Sequence, residues 1–188
     1  MRTLIPAQAD ALDAILAALP FTQDTPLRVL NLAAGNGALA GWILLHFPAA
    51  TAILAESSDS LAAFGSDKLR ELGGRFAYVA HDIISLHWPA ELAGPVDAVV
   101  SSQAIHHLPN LDKGRLFNRV AGVLVPGGVF LNFDLAKQPG QQFDDDDPHK
   151  TMATKQEWLG LMAGAGFEAV SVVIETPNGI LVTGRKPA

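Results

Sequence analysis

Two hydrophobic periods alternate along the chain. Val29–Leu32, Ala50–Ala55, Arg75–Ala80, Val96–Val100 and Val129–Leu135 are short, largely apolar runs of strand length. Between them, apolar positions recur at i, i+3 and i+4, as in Leu39, Trp42 and Ile43 or in Leu116, Val120, Val123 and Leu124. The pattern predicts helices over Ala7–Leu19, from Leu39 to Pro48, and over Ser57–Leu72, Asp112–Leu124 and Thr154–Ala165. Thr154-Lys155-Gln156-Glu157 has the spacing of a capping box, and Gly166 stands where a helix stops. Two alternating strands close the chain, Phe167–Ile174 and Ile180–Thr183, joined through the hairpin signal Pro177-Asn178-Gly179.

Strand–helix alternation through five strands predicts a parallel, doubly wound sheet with helices on both faces and an antiparallel hairpin at its end, seven strands in all. Residues 1–188 read as one domain, with a leader helix in 1–26 and a loop over 137–153. Ligands of such sheets bind beyond the carboxyl ends of the strands. That rule singles out Ala33–Gly37, Glu56, Asp82 and Ser101–His107.

Composition narrows the choices. The chain is 49% hydrophobic and 17% charged, with a net charge of −6. Its longest cationic cluster is Arg185-Lys186, too little to track a phosphate backbone, so nucleic acid is not an expected partner. It has no cysteine, which removes disulfides, thiolate nucleophiles and Cys-ligated metals together. No apolar run reaches membrane-spanning length, and Met1–Pro6 lacks the apolar core of a signal peptide. A cytoplasmic protein is expected.

Arg28–Ile43 carries the chemistry. An apolar strand runs into Ala33–Gly37, all small residues but for Asn36, and then into a helix. Such a turn presents unpaired backbone N–H groups at a helix N-terminus, and a ligand can approach its main chain closely. Gly35-x-Gly37-x-x-Ala40 has the spacing of a dinucleotide fingerprint. Glu56, about 20 residues on, stands where a carboxylate receives ribose hydroxyls. Asp82 adds a second carboxylate able to accept from an exocyclic amine. A nicotinamide dehydrogenase would need a substrate domain for which 188 residues leave no room, and its fold lacks a terminal hairpin.

At these residues the chain resembles the class I S-adenosylmethionine-dependent methyltransferases, in their small-molecule branch. Val29-Leu-Asn-Leu-Ala-Ala-Gly-Asn-Gly37 resembles the family's first motif, and Glu56 its ribose-binding acid. Asp82-Ile83 matches the adenine-binding pair. Val96-Asp-Ala-Val-Val-Ser-Ser102 with His106-His107-Leu-Pro resembles the fourth motif, and Leu124-Val-Pro-Gly-Gly128 the turn before the fifth strand. The resemblance implies a Rossmann-like fold and S-adenosylmethionine as cofactor, held by Asn31, Ala33, Gly35, Gly37, Glu56, Ser57, Asp82, Ile83 and Ser101. It implies direct in-line transfer to oxygen or nitrogen of a small molecule. Two positions depart from the pattern. Asn31 replaces an acid that engages the cofactor's amino group, and Ala33 replaces the first glycine, a change tolerable only if its φ is negative.

Candidate catalytic groups are His106 and His107, at the mouth of the expected site and of the residue type whose ordinary charge change falls near neutral pH, and Ser101. One histidine packed under the sheet and the other solvated is the alternative. No metal site is expected: His46, His81 and His87 are scattered. Asp144–Asp147 reads as a solvated loop, with the entrance to the site, attractive to a cationic acceptor, as its other reading. With so short a cap the site is open, to be completed by a lid over Gln138–Lys150, by a second subunit in a homodimer, or by a protein acceptor. Competing functions are a pseudo-methyltransferase that binds without catalysis, aminopropyl transfer, and a nicotinamide oxidoreductase.

Overall fold

The computed structural model describes residues 6–85, 87–144, 146–147, 149–177 and 179–188. Five helices alternate with the strands of one seven-stranded sheet. The helices are α1 (Pro6–Ala18), α2 (Ala38–His46), α3 (Asp59–Lys68), α4 (Asn110–Val123) and α5 (Lys155–Gly164). The strands are β1 (Arg28–Leu32), β2 (Thr51–Glu56), β3 (Phe76–Ala80), β4 (Val96–Ser102), β5 (Leu124–Asp134), β6 (Glu168–Thr176) and β7 (Gly179–Arg185). Their order across the sheet is β3-β2-β1-β4-β5-β7-β6, the first five parallel and β7 antiparallel to both neighbours. The expected hairpin is present with its last strand inserted between β5 and β6; Asn178, at its tip, lies outside the described residues. The chain order reverses between β1 and β4, so the switch point falls beside the small-residue turn.

Side-chain alternation divides the core. Val29, Leu54, Val100, Leu131 and Phe133 pack with Ile15, Leu39, Ile43 and Phe47 on the α1/α2 side. Leu30, Leu32, Val99, Phe130 and Val182 pack with Phe117, Val120, Trp158 and Met162 on the α4/α5 side. Each such fully buried side chain contributes about 1.5–3 kcal/mol of transfer free energy. The α5 capping box is formed: Thr154 Oγ1 accepts from Glu157 N while Glu157 Oε2 accepts from Thr154 N.

Two expectations are corrected. Strand β5 starts at Leu124 and runs through Pro126-Gly127-Gly128, because Leu124 pairs with Val96 before a register shift carries the ladder past the turn residues. Phe64, expected in the core, is 55% exposed. Gly65 is the residue of α3 that faces inward, and a residue one step along the helix points roughly 100° away.

Candidate active site

Strand β1 ends in a turn whose backbone is left-handed at alternate positions: φ is +47° at Ala33, +54° at Gly35 and +71° at Gly37. The φ of Ala33 is positive, so the condition for an unstrained alanine here, a negative φ, is not met. A methyl group here costs on the order of 1 kcal/mol. Ala33→Gly is therefore expected to raise stability by up to about 1 kcal/mol, read by urea unfolding, with the turn intact.

Hydrogen bonds within the turn and from β2 hold it in place. Ala34 N donates to Ala55 O at 3.0 Å and Gly37 N to Ala34 O at 2.9 Å. Glu56, at the end of β2 and only 8% exposed, accepts from Gly35 N with Oε2 at 2.7 Å and from Ser58 N with Oε1 at 2.8 Å. Each carboxylate oxygen has two acceptor directions, so each keeps one for a ligand hydroxyl. Asn31 is buried in β1. Its Nδ2 lies 3.3 Å from Leu32 O and 3.4 Å from Val100 O, while its Oδ1 has no partner. A buried amide oxygen without a donor is a costly arrangement that an ammonium N–H would relieve. After β3, Asp82 is exposed and accepts from Ile84 N with Oδ1 at 3.1 Å. Asn31, Ala33, Gly35, Gly37, Glu56, Ser57, Asp82 and Ile83 thus gather at the carboxyl edge of β1, β2 and β3. Ser101 stands apart. It is fully buried on the α4/α5 side, where Oγ donates to Leu32 O at 3.3 Å and ties β4 to β1.

The histidine pair is organised by a buried carboxylate that no sequence motif marks. Asp134, the last residue of β5, is fully buried and collects four donors. Ile105 N and His106 N reach Oδ2 at 2.8 and 3.0 Å; His106 Nδ1 and Leu135 N reach Oδ1 at 2.5 and 2.9 Å. Since the carboxylate only accepts, Nδ1 of His106 carries a proton. His106 is 3% exposed, and the ring of His107, itself exposed, lies 3.8 Å from it, centre to centre. The acidic loop brings a third imidazole. His149 stacks at 5.9 Å on His106, while its backbone N donates to Asp147 Oδ1 at 2.7 Å. Asp145 and Pro148 lie outside the described residues. Lys113 of α4, also fully buried, donates to the carbonyls of Leu108 and, at 2.6 Å, Thr151; Thr151 Oγ1 donates to His106 O at 2.9 Å. The loop is thereby fastened to the histidine turn. Beside it lies a cavity of about 840 Å³ lined by Asn110, Lys137, Gln138, Thr151 and Glu157, among others. Among the described residues no cluster of three or more metal-ligating side chains occurs, and no helix is long and apolar enough to cross a membrane.

Residues 29–128, more than half of the chain, match the family model described as "Methyltransferase domain". The chain belongs to this methyltransferase family. Its fold is that of the class I S-adenosylmethionine-dependent members. Among curated relatives, the domain is 35% identical over 108 residues to a malonyl-[acyl-carrier protein] O-methyltransferase of Chlorobium phaeovibrioides, covering 55% of this chain and 38% of that protein. It is 33% identical over 113 residues to the ubiquinone/menaquinone biosynthesis C-methyltransferase UbiE of Pasteurella multocida, covering 58% and 40%. The methyltransferase chain thus matches well under half the length of these relatives. An O-methyltransferase family protein from Burkholderia thailandensis superposes with a TM-score of 0.78 at 17% identity, over 97% of this chain and 57% of that one. The [4+2]-cyclase SpnF superposes at 0.77 and 18% identity, over 100% and 85%. The methyltransferase family's cofactor is S-adenosylmethionine, and the residues present fit it: an unpartnered buried acceptor for an ammonium, a carboxylate with spare acceptor capacity, and a turn of small residues between them.

Proposed function

We propose that this methyltransferase domain transfers a methyl group to an oxygen or nitrogen of a small molecule, with His106 as the general base. The observation that carries this reading is the buried pair of His106, in the turn after β4, and Asp134, at the end of β5. Asn31 Oδ1 would take the cofactor's ammonium, Glu56 its ribose hydroxyls, and Asp82 with Ile83 its adenine; Ser57 lies alongside. When bound, the cofactor supplies an activated methyl on a sulfonium. The protein holds the acceptor in line, excludes water and removes the acceptor's proton. With Nδ1 protonated toward Asp134, the other nitrogen of His106 is the one that accepts that proton, and Asp134 supports the charge that develops on the ring. His107 and His149 flank the ring as acceptor-positioning groups. Ser101 acts by holding the ends of β1 and β4 together. The malonyl-carrier O-methyltransferase relative favours an oxygen acceptor; the UbiE relative brings an acidic carbon into the acceptor screen. The reading takes residues 1–188 as one cytoplasmic unit, its 137–153 segment walling the acceptor side, alone or as a homodimer.

One observation favours a second reading, a protein that binds cofactor without catalysis: Asn31 offers no charge where the family has an acid. The two readings part in one experiment. S-adenosylmethionine, S-adenosylhomocysteine and NAD⁺ are titrated calorimetrically, followed by an acceptor panel read as methyl incorporation. Micromolar binding of the two sulfur compounds is expected, with none of NAD⁺. In Glu56→Ala two backbone N–H groups lose their acceptor and the ribose loses its own, so affinity should fall at least about a hundredfold. Binding without incorporation on any acceptor would select the second reading, and silence toward both sulfur compounds would overturn both.

A further inference from the structure

The peptide of Gly35 is held from both sides. Its N–H is taken by Glu56, and its carbonyl accepts from Tyr78 Oη at 3.1 Å. Tyr78 reaches it from β3, where it is paired with Leu54 of β2. The hydroxyl fills a space that two glycines leave open. A Cβ on Gly65 of α3 would stand 1.9 Å from Tyr78 Oη and 2.7 Å from its Cζ, and one on Gly37 would stand 2.7 Å from the same hydroxyl. Burial, and after it the charge of Glu56, push the Tyr78 hydroxyl up to about 12, so it remains a proton donor throughout the physiological range. Gly37, Gly65 and Tyr78 are therefore one fitted unit, drawn from α2's entry, α3 and β3.

We propose that Tyr78 is a positioning residue for the cofactor, fixing the Gly35 peptide in its ligand-ready orientation, and that Gly65 is a glycine to admit its hydroxyl. The proposal rests on the methyltransferase reading of the turn. Its physical content is that three left-handed residues within five positions do not hold themselves. Ala33 pays a conformational cost, and neither Asn31 nor Ala33 gives what the family's acid and glycine give. A hydrogen bond to the middle of the turn, made by a rigid side chain on a neighbouring strand, presets the peptide that follows Gly35 and with it the direction of the Asn36 N–H, and steadies the Gly37 N–H in its bond to Ala34 O. The ring stays in place when the hydroxyl is removed, so Tyr78→Phe separates the bond from the packing.

The test compares wild type, Tyr78→Phe and Gly65→Ala by calorimetry with S-adenosylhomocysteine, and by hydrogen exchange of the 33–37 amides in the ligand-free protein. Tyr78→Phe should weaken binding about fivefold, the worth of one such bond, and speed exchange at Asn36 and Gly37. Gly65→Ala, which drives the hydroxyl off, should do at least as much. A residue of purely structural importance would lower the unfolding temperature and leave both readouts alone; that result in Tyr78→Phe overturns the proposal. Should wild type itself bind no S-adenosylhomocysteine, the methyltransferase reading fails, and the exchange rates of the free protein still decide the role of Tyr78. Faster exchange at Asn36 and Gly37 supports it, and unchanged exchange overturns it.

Discussion

Asp134→Asn is expected to lower methyl transfer by a factor of a hundred or more and the unfolding temperature by about 10 °C, leaving S-adenosylhomocysteine affinity within about threefold. The reason is the donor count. Four N–H groups, from Ile105, His106 (backbone and ring) and Leu135, converge on two oxygens of a fully buried side chain. An asparagine keeps one acceptor oxygen and turns an NH₂ toward the donors of the other, leaving buried N–H groups without partners at about 1–3 kcal/mol each. It also releases the imidazole from its orientation and tautomer. The cofactor turn is spared because its bonds come from β2 and β3. If the asparagine variant does not fold, His106→Gln keeps the backbone N–H bonds to Asp134 and removes only the ring. Its turnover should still fall about a hundredfold or more, the scale of a positioned general base. Turnover within fivefold of wild type in His106→Gln would sink the base assignment.

What the sequence disclosed and what it withheld follow one physical line. The β1–turn–α2 unit, the order of strands and helices, the Thr154–Glu157 capping box and the carboxylates after β2 and β3 were all legible, because each is written in consecutive residues or a local period. Asp134 was not: it is a single Asp at a strand end, and the partners that give it its role, Ile105 and His106, lie 29 and 28 residues back along the chain. Tyr78 reads as one more aromatic in a strand until Gly65, on another element, is seen beneath its hydroxyl. The same contact sets the rotation of α3 and turns Phe64 to solvent, against its hydrophobicity. Ala33 shows the limit from the other side, since sequence names the residue but the hydrogen bonds of the turn decide its φ. His149 follows the charged run Asp144–Asp147, whose composition reads as solvated; its ring meets His106 in a loop that Lys113 and Thr151 fasten to the histidine turn.

Stability is expected to rise as pH climbs from about 8 toward 10, and Lys113→Met is expected to remove most of that rise, leaving the smaller part due to Lys68, whose ammonium burial also lowers. Lys113 has no exposed surface, and burial lowers its ammonium to about 8 from 10.5, against the opposing pull of Asp134 and Glu157. Below pH 8 the lysine is charged in both folded and unfolded chains, and the folded chain carries the desolvation cost. Between about 8 and 10.5 the folded chain has released the proton while the unfolded chain still binds it, so stability increases with pH across this window. The full gain is roughly 3 kcal/mol, from the size of the shift. Tyr78 works in the opposite sense above pH 10. Its hydroxyl is held up to about 12 in the fold, so the unfolded chain ionises first and stability falls again. Urea unfolding at steps from pH 7 to 10.5 reads the curve, with the maximum near 10 in wild type and the rising limb much reduced in Lys113→Met. An equal rise in both proteins would show that the ammonium among the carbonyls of Leu108 and Thr151 is not its source. The methionine variant carries a second signature. With two loop-facing carbonyls left without their donor, the amides of residues 149–153 should exchange faster at every pH. That local loosening beside His106 would slow methyl transfer without touching the cofactor turn.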